Sequence, residues 1–286
     1  MTSALEELLR ILDLEQLEND YFRGQSPEEK RQRVFGGQVA GQALVAAGRT
    51  VDPGRPVHSL HGYFVRPGAV GVPILYQVER VRDGRSFSTR RVVAVQRGQV
   101  IFDMSASFHH SEEGLAHQDP MPQAAHPESL GTFKEQLAPW ADELGDWYHR
   151  PRPIDQRLVD PPSQATKGTP REPEMKVWIR ADGRLPEDPL LHACVVAYAS
   201  DMSLLDTVLL PHGLSWEEAG IMRASLDHAM WFHRPFRADN WLLYHQRSPV
   251  SRGSRGLATG AIYDMEGARV VTVVQEGVLR VPRARG

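Results

Sequence analysis

Residues 58–67 read HSLHGYFVRP, and residues 224–235 read ASLDHAMWFHRP. Both stretches end in Phe-x-Arg-Pro, and the two phenylalanines, Phe64 and Phe232, are 168 positions apart. Each stretch is followed by an alternating strand pattern, a turn with glycine and arginine, and a long apolar strand. The repeat predicts that one supersecondary unit was duplicated and fused. Differences in polar residues between the two copies should therefore point to a functional site.

The composition is typical of a globular protein that does not bind nucleic acid. The 286 residues are 41% hydrophobic and 24% charged, and the formal net charge is -3. Binding to a nucleic-acid backbone requires clustered, unbalanced Lys and Arg, which this charge balance argues against. The single cysteine, Cys194, lies in an apolar stretch and cannot form an intramolecular disulfide, which favours a reducing compartment.

Signals for export or membrane insertion are not evident in the sequence. The N-terminal stretch is acidic and lacks the basic and apolar regions of a signal peptide. No apolar run approaches the ~20 residues that a membrane span requires. We therefore expect a cytoplasmic protein without a membrane partner.

Residues 1–110 predict an α+β unit. Ser3 and Glu6 form a capping-box pattern ahead of a leucine stripe, which predicts a helix over residues 4–18. Small residues let a second predicted helix, Gly36–Gly48, approach a sheet closely. The predicted strands are Val57–Val65, Ile74–Val81, Phe87–Gln96 and Val100–His109. A helix followed by a run of antiparallel strands indicates a sheet that wraps around that helix.

Residues 111–175 are expected to form a long, mostly ordered connection. Twelve of the chain's 21 prolines fall within residues 120–189. The aromatic residues in this segment argue against a purely disordered tether, and a short helix is predicted near Thr132–Leu144.

The pattern of the first unit restarts in residues 176–286. A short strand is predicted at Lys176–Arg180. Asp188 followed by Pro189 is typical of a helix start, and the apolar helix that follows runs to Asp201. Further strands are predicted at residues 225–233, 241–248, 254–263 and 268–280.

Three polar residues of the second copy occupy positions where the pattern expects apolar ones. Asp201 closes the apolar helix on a face that should look toward the sheet, where an ionised carboxylate is costly without hydrogen-bond partners. Gln275 interrupts the most apolar strand, at a place where the first copy has Ala106 or Ser107. Ser225 opens the strand that enters the core. Together they are the candidate site residues.

Further motifs recur in the order found in a known enzyme family. They are FGGQ at 35–38, HSLHGYF at 58–64, RPG at 66–68, RDGRSF at 82–87, ASF at 106–108, DH at 227–228, WFHRPF at 231–236, WLLY at 241–244 and VQEG at 274–277. Taken together, the chain resembles the type II acyl-CoA thioesterases, the TesB family, over nearly its whole length. The resemblance implies an α+β double hot-dog fold: two fused units, each a long helix wrapped by an antiparallel sheet.

The same resemblance implies hydrolysis of acyl-CoA thioesters to a free acid and CoA, without a metal or a cofactor. Family members use an Asp, a Thr or Ser, and a Gln to hold a water, and these match Asp201, Ser225 and Gln275. Many relatives carry Thr at the middle position, where this chain has Ser225. The serine keeps the hydroxyl but loses the rotamer restriction of a β-branched side chain. A backbone N–H at a helix start could supply the oxyanion donor. Hot-dog sheets commonly pair edge to edge, so we expect a homo-oligomer, either a dimer or a tetramer.

Other roles for neighbouring residues stay open. Ser225 as a covalent nucleophile is a competing mechanism, although His228 lies three residues on and so on the opposite face of a strand. His58, at a strand start in the first copy, is a candidate acid/base or substrate contact. Gly37 and Gln38, at a helix start, could approach substrate closely, and tight packing between helix and sheet explains the glycine equally well.

Two other functions also stay open. A hot-dog hydratase or dehydratase needs a His-centred pair near the helix start, where the second copy offers only His192. A non-catalytic acyl-CoA binding module is possible because fold alone does not fix function. Such a binder has no reason to keep a buried carboxylate beside a hydroxyl and an amide. No metal site is expected, because the histidines lack carboxylate or thiolate partners at metal-ligand spacing.

Overall fold

The computed structural model describes residues 2–27, 33–215 and 220–280. Within these ranges, thirteen strands form one antiparallel sheet. Two long apolar helices pack against each other and against this sheet. Their side chains share one hydrophobic core with the sheet strands.

The first unit contains two helices and six strands. The elements are α1 (Ala4–Leu12), β1 (Glu15–Glu18), β2 (Tyr21–Gly24), α2 (Gly36–Gly48), β3 (Val57–Phe64), β4 (Ile74–Asp83), β5 (Phe87–Gln96) and β6 (Gln99–His109). The predicted second helix and the four predicted strands are present with nearly the expected bounds.

The first helix is shorter than predicted. It begins with the expected capping box of Ser3 and Glu6 but ends at Leu12. Residues Glu15–Glu18 instead form β1, which pairs with Tyr21–Gly24. The helix dipole makes carboxylates unfavourable at a helix C-terminus. A helix that continued into this acidic stretch would therefore be destabilised.

The connecting segment is more structured than predicted. Its elements are the short helices α3 (Phe133–Leu137), α4 (Ala141–Leu144) and α5 (Asp146–His149) and the strand β7 (Ile154–Leu158). The predicted helix near Thr132–Leu144 is interrupted by a 3₁₀ turn at Ala138–Trp140, which contains a proline. Strand β7 pairs with the first strand of the second unit and so extends its sheet.

The second unit repeats the order of the first. Its elements are β8 (Glu174–Ala181), α6 (Pro189–Ser200), β9 (Met222–Ser225), β10 (Asp227–Phe232), β11 (Leu242–Arg252), β12 (Arg255–Tyr263) and β13 (Arg269–Arg280). Helix α6 begins as predicted, with the Asp188 side chain accepting a hydrogen bond from the backbone N–H of Leu190.

Strand pairing confirms the expected α+β double hot-dog. The order is β1-β2-β4-β5-β6-β3-β10-β13-β12-β11-β8-β7, and β9 also pairs with β13. The two halves meet where β3 pairs with β10, with Tyr63 opposite Asp227 and Ser59 opposite Trp231. On either side of this junction the strands follow the same succession, so the two units are related by an approximate twofold axis.

The strand predicted at residues 225–233 is divided in two. Ser225 ends β9, which pairs with the end of β13. Leu226 links the halves: its N–H donates to the Glu276 carbonyl, and its own carbonyl accepts from the Phe64 N–H. Leu226 therefore ties the end of the first unit's β3 to the second unit beside Ser225.

The glycines of α2 lie against α6, where the sequence predicted close packing on the sheet. A Cβ at Gly41 would be 3.2 Å from the Cys194 carbonyl oxygen. A Cβ at Gly37 would overlap the Tyr198 carbonyl oxygen, and one at Gly48 would overlap the Leu190 side chain. The two central helices therefore approach each other so closely because three positions lack a side chain.

One apolar stretch in the described chain, Pro189–His212, is long enough to cross a membrane by length and composition. The sequence reading missed it, because Asp201 and Asp206 interrupt the run. The most apolar part of this stretch is 72% buried inside the protein, as is usual for a core helix.

Candidate active site

Asp201 lies where the two units meet. It is the residue at the C-terminal cap of α6, directly after the buried Ser200. The capped start at Asp188 and the apolar body of α6 fix this helix in the core, so the position of its last turn is well determined. Asp201 itself is half-buried, and it lines a large cleft.

The structure brings the three candidate residues together. Gln275 is fully buried on β13, and its Nε2 donates to Asp201 Oδ1 at 2.6 Å. The hydroxyl of Ser225 donates to the same oxygen at 3.4 Å. Gln275 Oε1 is buried and has no hydrogen-bond partner among the described residues. One carboxylate oxygen is therefore held by an amide and a hydroxyl.

The other carboxylate oxygen faces the start of α2. A Cβ added at Gly36 would lie 2.7 Å from Asp201 Oδ2. The cap residue of α2, Phe35, provides no side-chain cap hydrogen bond. The first N–H groups of a helix have no partner within the helix, and they carry partial positive charge. A negative charge on Asp201 is therefore favoured beside the start of α2.

A layer of buried polar side chains forms hydrogen bonds with the last turn of α6. Ser200 Oγ donates to the Ala197 carbonyl at 3.0 Å and lies 2.8 Å from His228 Nε2. Because the one hydroxyl proton is used on the carbonyl, the His228 Nε2–H is the donor in the second bond. Tyr244 OH donates to the Ser200 carbonyl at 3.1 Å. Sequence reasoning missed this layer, although Asp227-His228 was among the recurring motifs.

We expect His228 to make the stability of the protein fall in acid. Full burial lowers the pKa of His228 to about 4, below the ~6.5 of an unfolded chain. Protons therefore bind the unfolded state first, and stability is lost as the pH falls from about 6.5 to about 4. The loss reaches about 3 kcal/mol. Urea unfolding of wild type and His228→Gln at several pH values measures it, and parallel pH curves for the two proteins would contradict the assignment.

The cleft beside Asp201 has a volume of about 1130 Å³. Three parts of the chain line it: the start of α2 with the end of β3, the connecting segment, and the second unit around Ser225. The connecting segment contributes an apolar wall consisting of Phe133, Leu137, Trp147, Leu158 and, at the start of β8, Met175. The cleft is large enough for an extended small molecule that is apolar at one end.

The first unit has no equivalent of this site. Strand register places Arg90 opposite Ala106, where the second unit has Ala258 opposite Gln275. Arg90 is fully buried, and its guanidinium donates to Thr50 Oγ1 at 2.8 Å and to the Thr50 carbonyl at 2.9 Å. In the first unit the large polar residue is thus the arginine on β5, and the position equivalent to the Gln275 amide is an alanine. The broken symmetry that the sequence indicated is present in the structure.

The three predicted substrate-binding residues, His58, Gly37 and Gln38, do not line the cleft. His58 Nε2 lies 2.7 Å from Ser107 Oγ, near the end of β3 farthest from Ser225. Gln38 is buried, and its amide donates to the Gln25 carbonyl at 3.0 Å. Gly37 is packed against α6. Because β3 and β10 pair antiparallel, the start of β3 with His58 lies at the opposite end of the paired strands from Ser225.

Comparison with known proteins matches this architecture. Residues 152–278 match the acyl-CoA thioesterase family, and residues 26–109 match its N-terminal domain family. Acyl-coenzyme A thioesterase 8 of Homo sapiens is 43% identical over 95% of this chain and 88% of its own length. Acyl-CoA thioesterase 2 of Haemophilus influenzae is 36% identical over 98% of this chain and 99% of its own.

A solved structure agrees over the full length of the chain. The acyl-CoA thioesterase II TesB2 from Mycobacterium marinum is 45% identical, with a TM-score of 0.80, and covers 98% of this chain and 99% of its own. These relatives span both units and the connection between them. The chain belongs to the acyl-CoA thioesterase family.

Proposed function

We propose that this protein hydrolyses acyl-CoA thioesters and that Asp201 activates the attacking water. The observation that carries the proposal is the Asp201 carboxylate, held by Gln275 at 2.6 Å and by Ser225 at 3.4 Å on the wall of the cleft. A thioester carbonyl is already activated, so a positioned water with a carboxylate base suffices. Family membership supports the reaction, and the geometry supports the roles of these residues.

In this mechanism the water oxygen attacks the thioester carbonyl carbon while its proton passes to the Asp201 carboxylate. The Gln275 amide keeps the carboxylate in place by donating from Nε2 to Asp201 Oδ1 at 2.6 Å. The C–S bond then breaks, and the proton on Asp201 passes to the departing CoA sulfur. The products are the free acid and the CoA thiol, so no further reactant is needed.

The start of α2 supplies an oxyanion donor in this proposal. Gly36 lines the cleft and lies directly beside Asp201 Oδ2. The backbone N–H of Gly36 is at the first helical position, which lacks a partner inside the helix. Preorganised N–H donors stabilise the negative oxygen of a tetrahedral intermediate. A side chain at position 36 would collide with the carboxylate, which explains the glycine.

The simplest test follows thiol release from a panel of acyl-CoA esters of different chain lengths. We expect the wild-type protein to release CoA from at least one ester. The absence of release from every ester would overturn the proposal and favour a non-catalytic binding module. A hydratase is less consistent with the structure, because His192 is buried and does not line the cleft.

Ser225→Ala should lower kcat by only about fivefold. Ser225 orients the carboxylate through a long, weak hydrogen bond, and such a bond contributes about 1 kcal/mol. His228 is bonded to Ser200, so Ser225 has no imidazole to activate it as a nucleophile. Steady-state thiol release measures the effect, and Ser225→Thr is the matched control that keeps a hydroxyl. Complete loss of turnover in Ser225→Ala, with an acyl-enzyme found in wild type, would indicate covalent catalysis instead.

His58→Ala should leave kcat unchanged. Tyr63 pairs with Asp227 near the site, and His58 lies five residues farther along β3, which places it about 17 Å away. Turnover and the unfolding midpoint should be measured on the same preparation. A drop in kcat of about tenfold without a change in midpoint would place His58 in the chemistry after all.

We also propose that the protein is a homo-oligomer. The sheet exposes large side chains: Tyr63, on β3 at the junction of the units, is 66% exposed, and Phe87, on β5, is 45% exposed. The rings of His61 on β3 and Trp231 on β10 pack edge to face across the junction. Light scattering on the purified protein would test this, and a monomeric mass at micromolar concentration would refute it.

A further inference from the structure

The cleft beside Asp201 is lined by an excess of arginine. Its seven arginines are Arg33, Arg66, Arg150, Arg152, Arg223, Arg255 and Arg280. The only carboxylates among its described lining residues are Asp201 and Asp206. The whole chain has a net charge of -3, so this local excess of positive charge is not a property of the surface in general.

Four of these arginines lie on segments that contact one another at one rim of the cleft. The Arg33 guanidinium donates to the Arg223 carbonyl. The N–H of Val34, the next residue, donates to the Gly68 carbonyl at 2.9 Å, two residues after Arg66. Arg280 pairs with Met222 at the start of β9. We call Arg33, Arg66, Arg223 and Arg280 the arginine rim.

Within the described residues, three of the four rim arginines have no carboxylate partner. Arg33, Arg66 and Arg280 are exposed, and none of them forms an ion pair with a residue in the described parts of the chain. The Arg66 guanidinium donates to the Val100 carbonyl at 3.0 Å, which orients it without cancelling its charge. By contrast, Arg255 pairs with Glu276 at 3.0 Å, and Arg152 lies between the Phe133 and Trp147 rings.

The rim and the catalytic carboxylate are spaced as two parts of one binding site. Arg280 pairs with Met222, three residues before Ser225, which corresponds to about 10 Å along the strand. The arginine side chains extend this distance outward into solvent. The apolar wall from Phe133 to Met175 is a separate part of the cleft lining. A thioester at Asp201 could therefore extend an apolar chain in one direction and an anionic group in the other.

We propose that the arginine rim binds the phosphate groups of CoA, while the acyl group lies toward the apolar wall. This inference rests on the proposed function, because it takes the thioester to be at Asp201. Guanidinium groups bind phosphate oxygens through paired, charge-assisted hydrogen bonds. Exposed rim arginines contribute affinity for the leaving half of the substrate and do not take part in bond breaking. The rim thereby selects CoA esters over thioesters that lack phosphates.

The test compares two substrates with the same acyl group, the CoA ester and the pantetheine ester, which lacks the phosphates. For wild type we expect a KM for the CoA ester at least about tenfold below that for the pantetheine ester. Arg66→Ala and Arg280→Ala should each raise the KM for the CoA ester by about tenfold. They should leave its kcat and both constants for the pantetheine ester unchanged. The effect should also shrink in high salt.

Arg85→Ala is the matched control, since Arg85 is exposed on the β4–β5 turn and does not line the cleft. Equal KM values of wild type for both esters would overturn the arginine rim while leaving the hydrolase activity established. Rim variants that raise the KM values of both esters by the same factor would also overturn the arginine rim. If wild type cleaves neither ester, the proposed function itself fails. The ester of 3′-dephospho-CoA locates the contact: a raised wild-type KM assigns the 3′-phosphate to the rim, and an unchanged KM assigns the diphosphate.

Discussion

Asp201→Asn should lower kcat for acyl-CoA hydrolysis by a factor of about 10² to 10⁴, the usual range for removal of a general base. The substitution keeps the size of the side chain and a carbonyl oxygen that can accept from Gln275 and Ser225. It removes the group that takes the proton from water. The KM should change little, because Asp201 contacts the attacking water and not the bulk of the substrate.

Thiol release measured under saturating acyl-CoA gives this kcat directly. Asp52→Asn is the matched control, because Asp52 lies on the exposed loop that follows α2, the helix equivalent to α6. Its carboxylate accepts from the Gly54 N–H at 2.7 Å, which an asparagine can also do. Asp201→Asn that turns over at the wild-type rate, with the same unfolding midpoint, would refute the mechanism.

Much of the fold could be predicted from the repeated Phe-x-Arg-Pro stretches. They fix the register of the two copies, and register in turn identifies which positions correspond. Gln275 stood out because the equivalent position in the first copy carries a small residue, and the pairing of Arg90 with Ala106 shows why that copy needs no amide there. A polar residue in an apolar strand is informative because burial makes it costly unless it has partners.

The roles of neighbouring residues could not be predicted in the same way. His58 and Ser225 occupy similar places in the two sequence copies, but antiparallel pairing of β3 with β10 places them at opposite ends of the junction. Sequence periodicity predicts one helix or strand at a time. It does not predict the relative orientation in which two units pack together. The contact between the start of α2 and Asp201 could not be predicted either, because it joins one unit to the other.

The close contact between α2 and α6 leads to a second prediction: Gly37→Ala should destabilise the folded protein. Helix propensity alone favours alanine over glycine by about 1 kcal/mol. At Gly37 the added methyl group would overlap the Tyr198 carbonyl oxygen and lie 2.6 Å from the Phe35 ring. The ring can rotate, but the carbonyl belongs to the backbone of α6, so the two helices must separate.

We expect Gly37→Ala to lower the free energy of unfolding by about 3 kcal/mol, at the upper end of the usual cost of overpacking a core. Gly41→Ala is the control: its methyl would lie 3.2 Å from the Cys194 carbonyl oxygen, a tight contact that small adjustments relieve. Urea unfolding of both variants measures the difference. Because Gly36 and Asp201 sit on the two helices that Gly37→Ala forces apart, its kcat should also fall in the fraction that remains folded. Equal stabilities for the two variants would show that the helices tolerate a wider separation, and the close approach of α2 to Asp201 would then not depend on the glycine at position 37.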